Sequence, residues 1–342
     1  MSNFAPAITT ISPSMMLPDI AMQYSMATGA FETLPGGAPA VRIGSNDLVV
    51  YQKYLNMTSQ AHVDQSLPGQ LPSASIVPGY DQMMTYRIAT RSQYSYLDTE
   101  AASGWGYSLV EALRLANRQG HAQQLRNMLL YGVNAANHEG LVNSPNAVTV
   151  NLGNDSEGNQ TYPAWDSGQL ALFLLNIIAT QKSRMYLLGQ TLTTVILAPQ
   201  RFIQTLEWTG IVELTSYQRP GGGTATVGTL IKNIADDATS DDVIFCSDDT
   251  LIGKGQGGAD MVIITNPEIV IPDARQQINT NIFATLTPNQ LAVNMMFTDV
   301  AAPTEVPSPM PDGGLTTLYT MRSTPGWNFR PEGLTLLSAR YQ

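Results

Sequence analysis

Charge is what this sequence has least of. Asp, Glu, Lys and Arg make up 13% of its 342 residues, about half the roughly 25% usual in soluble domains. A monomer needs charged surface to stay in solution. So poor a chain is expected to hide much of its outside against other copies, unless Asn, Gln, Ser and Thr fill that surface instead. The charge present is one-sided, with 27 acidic against 17 basic residues and a net of −10. That argues against a tight nucleic-acid binder, which works through a basic stripe that displaces counterions. A wall that merely encloses nucleic acid is still allowed.

Cysteine and histidine are nearly missing too. The single Cys246 rules out an intramolecular disulfide framework and fits a reducing compartment. Its place in the run Val243-Ile244-Phe245-Cys246 makes it a buried small hydrophobe rather than a nucleophile. Only His62, His121 and His138 are present, with no G-x-S-x-G elbow beside them. His121 and His138 are expected near opposite ends of one helix, too far apart to share a metal, with His138 a favourable partner for the helix dipole. Long apolar runs are lacking as well: Leu170 to Ala179 is too short for a bilayer, which takes about 20 residues. The N-terminal MSNFAPAITT lacks a basic n-region and an apolar h-region, so no targeting signal is read. Without an export signal, the sequon Asn56-Met57-Thr58 is a chance match.

Two patterns invite a chemical reading and do not support it. Gly253, Gly255 and Gly258 spell G-x-G-x-x-G, which binds a dinucleotide only between a strand and a helix. Here a β-branched run, Met261 to Thr265, follows and ends at Pro267, so the stretch is read as a flexible loop. Asp236, Asp237, Asp241, Asp242, Asp248 and Asp249 form the one charge cluster. They lack the alternation of an EF-hand loop and read as a solvated acidic edge. No catalytic, cofactor-binding or metal-binding residue is assigned, and no cofactor is implied.

What the sequence does carry is organised around Ser108 to Asn143. Ser108 and Glu111 form a capping-box pattern. Leu109, Leu113 and Ala116 fall on one helical face, while Ala122, Leu125, Leu129, Val133 and Ala136 fall nearly opposite. The jump coincides with Asn117 to Gly120, and a glycine costs about 1 kcal/mol inside a helix. The expectation is therefore a short helix over 108–118, a break, and a longer helix over 121–138. Gly140 then takes the left-handed conformation that ends it.

Around this centre, residues 1–46 hold five prolines and no Lys or Arg before Arg42. They read as an extended arm that gains order by lying on something else, or as a disordered tail. Phe4, Ile8, Ile11, Met15, Met16, Leu17 and Met22 are its candidate anchors. Strand-like runs at 47–54 and 83–96 enclose a polar excursion and predict a protruding hairpin. A helix is expected over 167–189, a strand over 192–197, and a short helix over 199–207. Strands and loops follow to about 270, with a GGG run at 221–223. Further strands are expected at 269–271, 282–286, 291–297, 315–321 and 334–339, interrupted by a proline-rich connection, Pro303 to Pro311.

A capped short helix, a glycine, a long Ala/Leu/Met-faced helix and then Gly140-Leu141-Val142-Asn143-Ser144-Pro145 resemble the major capsid proteins of tailed bacteriophages. In that family, the Hong Kong 97 fold, the long helix is the subunit's spine and is followed by Gly-Leu-Leu-Asn-x-Pro; Val142 stands for the commoner leucine. The resemblance implies an α+β fold with an N-terminal arm (1–46), an extended β-hairpin loop (47–98) and a peripheral domain with a short helix and spine helix (99–190). An axial domain (191–268) and a return into the peripheral sheet (269–342) complete it. It also implies a virion protein, not an enzyme. Copies would assemble in the host cytoplasm into pentamers and hexamers of an icosahedral shell, enclosing double-stranded DNA without sequence-specific binding and without a membrane. Scaffolding, decoration and portal proteins are the further partners the family allows. An encapsulin-like nanocompartment resembles the same fold, and the rival from another class is a metal-dependent hydrolase using the Asp cluster. The family's founding member cross-links subunits through a lysine–asparagine isopeptide bond. Of Lys53, Lys182, Lys232 and Lys254, none falls at the expected hairpin tip, which implies a non-covalent shell.

Overall fold

The structure, a computed structural model, describes residues 43–58, 75–145, 147–185, 193–208, 231–232, 242–267, 301, 303–311, 313–328 and 331–342. The arm before Ile43, the hairpin tip, the GGG run and the strands expected between 269 and 297 lie outside these residues.

The first helix, α1 (Tyr96–Gly104), begins at a full capping box. Ser95 Oγ accepts from the Asp98 N–H, and the Asp98 carboxylate accepts from the Ser95 N–H. It starts where the sequence had suggested the end of a strand. The second helix, α2 (Leu109–Tyr131), runs for 23 residues with no break at Gly120. The expected split is therefore wrong. A single glycine costs about 1 kcal/mol, less than giving up a turn of hydrogen bonds inside a formed helix. The change of apolar stripe has another cause. No residue from 109 to 120 is buried, whereas His121, Leu125, Met128, Leu129 and Leu130 are. The two halves of the helix face different surroundings. Ser108 does cap it, accepting from the Glu111 N–H at 3.4 Å, but the Glu111 carboxylate pairs with Arg114 instead of returning to Ser108.

The helix stops at Tyr131, seven residues short of the expected end. A helix leaves its last four carbonyls without internal partners, and here each one is taken up. Met128 O accepts from the Gly132 and Gly326 N–H groups, Leu129 O from Leu141 N–H, and Leu130 O from Val142 N–H. Tyr131 O accepts from the Asn143 side-chain amide at 3.0 Å. Residues 140–143 thus fold back along the helix end, and Leu141 is fully buried. The reversal needs glycine at 140. Its φ is +83°, and a Cβ there would lie 2.5 Å from Tyr131 C and 2.8 Å from Leu130 O.

Strands β1 (Val49–Thr58) and β2 (Ser75–Met84) form an antiparallel hairpin. The expected second arm at 83–96 is divided at Thr85, whose N–H and Oγ1 donate to the Leu48 and Asp47 carbonyls. Beyond Thr85, β3 (Tyr86–Tyr94) leaves the hairpin and pairs with another strand far along the chain, β9 (Leu315–Ser323). Apolar alternation continues through Thr85, so periodicity could not reveal the change of sheet. The proline-rich connection is itself a strand, β8 (Thr304–Pro309), paired to β9 and exposed along its whole length. Prolines are tolerated there because an edge strand has one row of unpaired donors.

The main sheet is five-stranded, in the order β4 (Val148–Asn151), β10 (Leu334–Ala339), β7 (Asp260–Thr265), β5 (Thr193–Ala198), β6 (Asp242–Ser247). β5 and β7 are buried on both faces, which is why they read as unbroken apolar runs. One face, including Ile196, Val262, Ile264 and Leu337, packs on α3 (Ser167–Arg184) and α4 (Gln200–Trp208) through Leu170, Leu174, Ile178, Phe202 and Leu206. The other face, including Val195, Leu197, Ile263 and Leu336, packs on Leu129 and Leu130 of α2, Leu141 and Trp327. Leu125 and Met128, one turn earlier, pack on Ile88 and Met321 of the three-stranded β3-β9-β8 sheet. The last turns of α2 are the common wall of two cores.

Two glycines on one path give opposite expectations. Gly120→Ala meets nothing within 4 Å and should stabilise by up to about 1 kcal/mol. Gly140→Ala should destabilise by at least about 2 kcal/mol, combining a left-handed φ with a backbone clash. Urea denaturation of the two variants checks both. A lowered midpoint for Gly120→Ala would restore the break.

Candidate functional site

Among the described residues, several of those that chemistry could have used hold the fold together instead. Gly253, Gly255 and Gly258 lie in tight turns that lead directly into β7, with no helix to receive a phosphate. Gly255 N–H donates to Ala259 O at 2.7 Å, so the stretch closes on itself. Asp248 is fully buried and accepts from the Thr250 N–H and Oγ1. Asp249 accepts from the Gln200 N–H at 2.8 Å, at the start of α4. Asp242 stands exposed at the head of β6. Asp236, Asp237 and Asp241 are outside the described residues. Asp248 is thus a buried turn cap, which corrects the reading of that residue as solvated, whereas Asp249 caps α4 and stays exposed as expected. No group of three His, Cys, Asp or Glu among the described residues could hold a metal ion.

His62 also lies outside the described residues. His138 does not end a helix; it follows a 3-10 turn in the left-handed region, φ 57°, and is exposed. Its expected dipole role fails because α2 has already ended at Tyr131. His121 is buried between α2 and the three-stranded sheet. Its Nε2 is 3.1 Å from Thr90 Oγ1, its ring meets Tyr319 edge-on at 4.9 Å, and its Nδ1 has no partner. Cys246 is buried as expected.

Two polar centres were not visible in the sequence. Glu139 is buried and takes four donors: Tyr86 Oη at 2.7 Å, the Val133 and Asn134 N–H groups, and the Asn137 amide. It ties the loop after α2 to the start of β3. Burial, together with this carboxylate, pushes the Tyr86 hydroxyl up to about 12. The second centre is Asp260, buried at the head of β7. It receives the Arg201 guanidinium, Tyr162 Oη and the Gly253 N–H, while Arg201 also lies 4.5 Å over the Tyr341 ring. Burial and the Asp260 charge raise the Tyr162 pKa. Each carboxylate is occupied by donors of its own chain; the Asp260 network borders a cavity of about 460 Å³ that Arg201, Arg340 and Tyr341 also line. The partners Tyr86, Arg201 and Tyr162 lie 53 to 98 residues from their carboxylate in the chain, too far for any local motif.

Apolar surface is open as well. On the hairpin, Tyr51 (61% exposed) and Tyr80 (67%) meet edge-on at 5.8 Å on its outer side, while Val50 and Met83 on the inner side pack on the core. Trp327 Nε1 donates to Asp81 at 3.0 Å and holds the hairpin base. On α1, Tyr96 and Leu97 are each 72% exposed, and Leu115 on the first half of α2 is exposed as well. Large apolar groups on several separate elements mark contact surface rather than a single pocket.

No protein-family model matches the sequence, and no curated protein matches it. Solved structures do. The capsid of the Myoviridae phage XM1 superposes with a TM-score of 0.63 at 11% identity, over 95% of this chain and 96% of that one. The fold is that of phage capsid proteins. The capsid of the cyanophage P-SCSP1u matches over the whole of both chains at 12% identity, with a TM-score of 0.56. The capsid of an empty GTA particle matches 96% of this chain and 95% of that one, with a TM-score of 0.55 and 9% identity. The α+β class expected from the resemblance is thereby shown, from an alignment in which about nine residues in ten differ.

His121 gives an expectation for stability against pH. Burial pushes its imidazole below the ordinary value. The stability tied to keeping it neutral is complete above the unfolded value of about 6.5 and is lost as pH falls through that value toward the folded one. The melting temperature should therefore fall between pH 7 and pH 5, and fall less in His121→Gln. Equal slopes in calorimetric scans of the two proteins would contradict this.

Proposed function

We propose that this chain is the major capsid protein of a tailed bacteriophage, a structural protein without catalytic chemistry. Its copies form pentamers and hexamers that close into an icosahedral shell around double-stranded DNA. The observation that carries the reading is the match to capsid subunits over nearly the whole length of both chains. It is supported by apolar groups left open on the hairpin, on α1 and on the first half of α2. A ring of identical subunits is heterologous, so each copy presents two different faces to its neighbours, and a chain with several separate contact surfaces suits that arrangement.

In the same reading, residues 1–46 act as an arm over neighbouring subunits and 47–98 as the loop that reaches across them. Residues 99–190 and 269–342 form the peripheral domain, and 191–268 line the capsomer axis. DNA is enclosed without sequence readout, and assembly takes place in the host cytoplasm. The shell is held without covalent cross-links. Lys182 is buried in α3, and Lys232 and Lys254 lie over the Phe245 and Tyr131 rings. Lys53 is exposed, but within the paired part of β1 opposite Tyr80.

Negative-stain microscopy of the purified protein should show closed shells, or rings and tubes of capsomers. A small discrete oligomer would refute the reading. The same particles, boiled and run on a denaturing gel, should give one band near 37.0 kDa, or slightly lower if the arm is trimmed. A ladder that survives reducing agent would refute the non-covalent shell.

A further inference from the structure

The three-stranded sheet has two unlike faces. Antiparallel partners directly opposite one another share a face, so its register sorts the residues. The face toward α2 carries Tyr86, Ile88, Thr90, Tyr319, Met321 and Glu305. Its polar groups are matched: Tyr86 to Glu139, Thr90 to His121, and Glu305 to Arg114 at 3.2 Å. The opposite face carries Arg87 and Arg91 of β3 and Arg322 of β9, with Ala89, Leu318 and Val306 between and beside them. No strand of the sheet places a carboxylate on that side.

Arg87 and Arg322 are directly opposed across the strand pair, an arrangement of like charges that costs stability when nothing lies between them. Among the described residues the Arg87 guanidinium has no hydrogen-bond or ion-pair partner. Arg322 donates only to neutral oxygens, Asp47 O at 3.0 Å and Thr85 Oγ1 at 3.2 Å. The Asp47 carboxylate is turned away and accepts from the Gly44 N–H at 2.6 Å. Both arginines line a cavity of about 300 Å³, whose wall also includes Ser45, Asn46, Thr304 and Thr320. Two guanidinium groups with hydroxyl and amide donors around one hollow are the chemistry of an oxyanion site, since guanidinium forks match carboxylate geometry.

We propose that this pocket receives an acidic side chain from a second copy of this chain, so that Arg87 and Arg322 form an electrostatic latch between neighbours. The proposal rests on the shell reading above. Two observations favour a protein partner over DNA. The chain carries ten more acidic than basic groups, so identical copies repel unless specific cations are opposed to carboxylates. The arginines are also flanked by Leu318 and by Val306, which is 51% exposed. A protein segment with an apolar residue beside its acid would cover this strip, whereas a phosphate backbone would leave it uncovered.

Arg87→Gln is the test, because Arg87 is exposed and its guanidinium holds nothing among the described residues. Its melting temperature should match the wild type's. The protein concentration needed for shells at 0.15 M salt should rise about threefold to tenfold, and the gap should narrow at high salt. As a second arm, assembled R87K particles treated with a carbodiimide should give a peptide joining position 87 to an Asp or Glu of another copy, identified by mass spectrometry. Shells of R87Q that form at the wild-type threshold, with no such peptide in R87K, would overturn the latch alone. So would unchanged assembly coupled to loss of salt-sensitive retention of duplex DNA, which would assign the face to nucleic acid. Wild-type protein that forms no assembly contradicts the shell reading and the latch together.

Discussion

The structure depends on how one helix ends. The last four carbonyls of α2 must find donors in a buried setting, where an unsatisfied one costs about 1–3 kcal/mol. Gly132, Gly326, Leu141, Val142 and Asn143 supply them. Because Gly326 belongs to the segment just after β9, the same bonds that finish the helix fix the three-stranded sheet against it. Because Leu141 is buried with the main sheet's core, they fix that sheet as well. A helix end serves here as the joint between two cores, and Glu139 locks the intervening loop by gathering four donors at one carboxylate.

The same arrangement explains why half of a long helix is left open. Only the C-terminal turns of α2 join the two sheets; the first turns touch the three-stranded sheet through Arg114–Glu305 and Asn117–Ser92, with Leu109 and Leu113 half-buried and Leu115 exposed. The hairpin is likewise anchored at its base, by Val50, Met83 and Trp327, and free on its outer face. A subunit built this way is rigid at its joint and carries its unsatisfied apolar surface on the elements that extend from it. That distribution fits the proposed assembling wall, and so does the low charge of the sequence.

Much of the fold was legible because its signals are local. The main-sheet strands β5 and β10 and the two helices α3 and α4 fell close to their expected places, since unbroken apolar runs and helical stripes are written in adjacent residues. The tail Gly140-Leu141-Val142-Asn143 is legible as a pattern, and the structure shows each residue answering one carbonyl or one steric limit. The errors also have physical causes. Gly120 suggests a break because the sequence displays its cost and not the hydrogen bonds that outweigh it. Thr85 hid a change of sheet because the alternation on its two sides is the same. Pro303 to Pro311 suggested a connection because prolines are rare in strands, although an outer edge accepts them. The Glu139 and Asp260 networks and the opposed pair Arg87 and Arg322 join residues far apart in the chain, and no window on the sequence contains them.

The central claim is that the projecting surfaces are completed by other copies of the chain. Hydrogen–deuterium exchange, compared between dissociated subunits and assembled particles, addresses it directly. The last two turns of α2 and strands β5 and β7 should be protected in both states, because their partners lie within the subunit. Residues 109–118, the hairpin and β8 should exchange quickly in the free subunit and become protected on assembly. If those segments exchange at the same rate in both states, the neighbours do not cover them and the account is wrong.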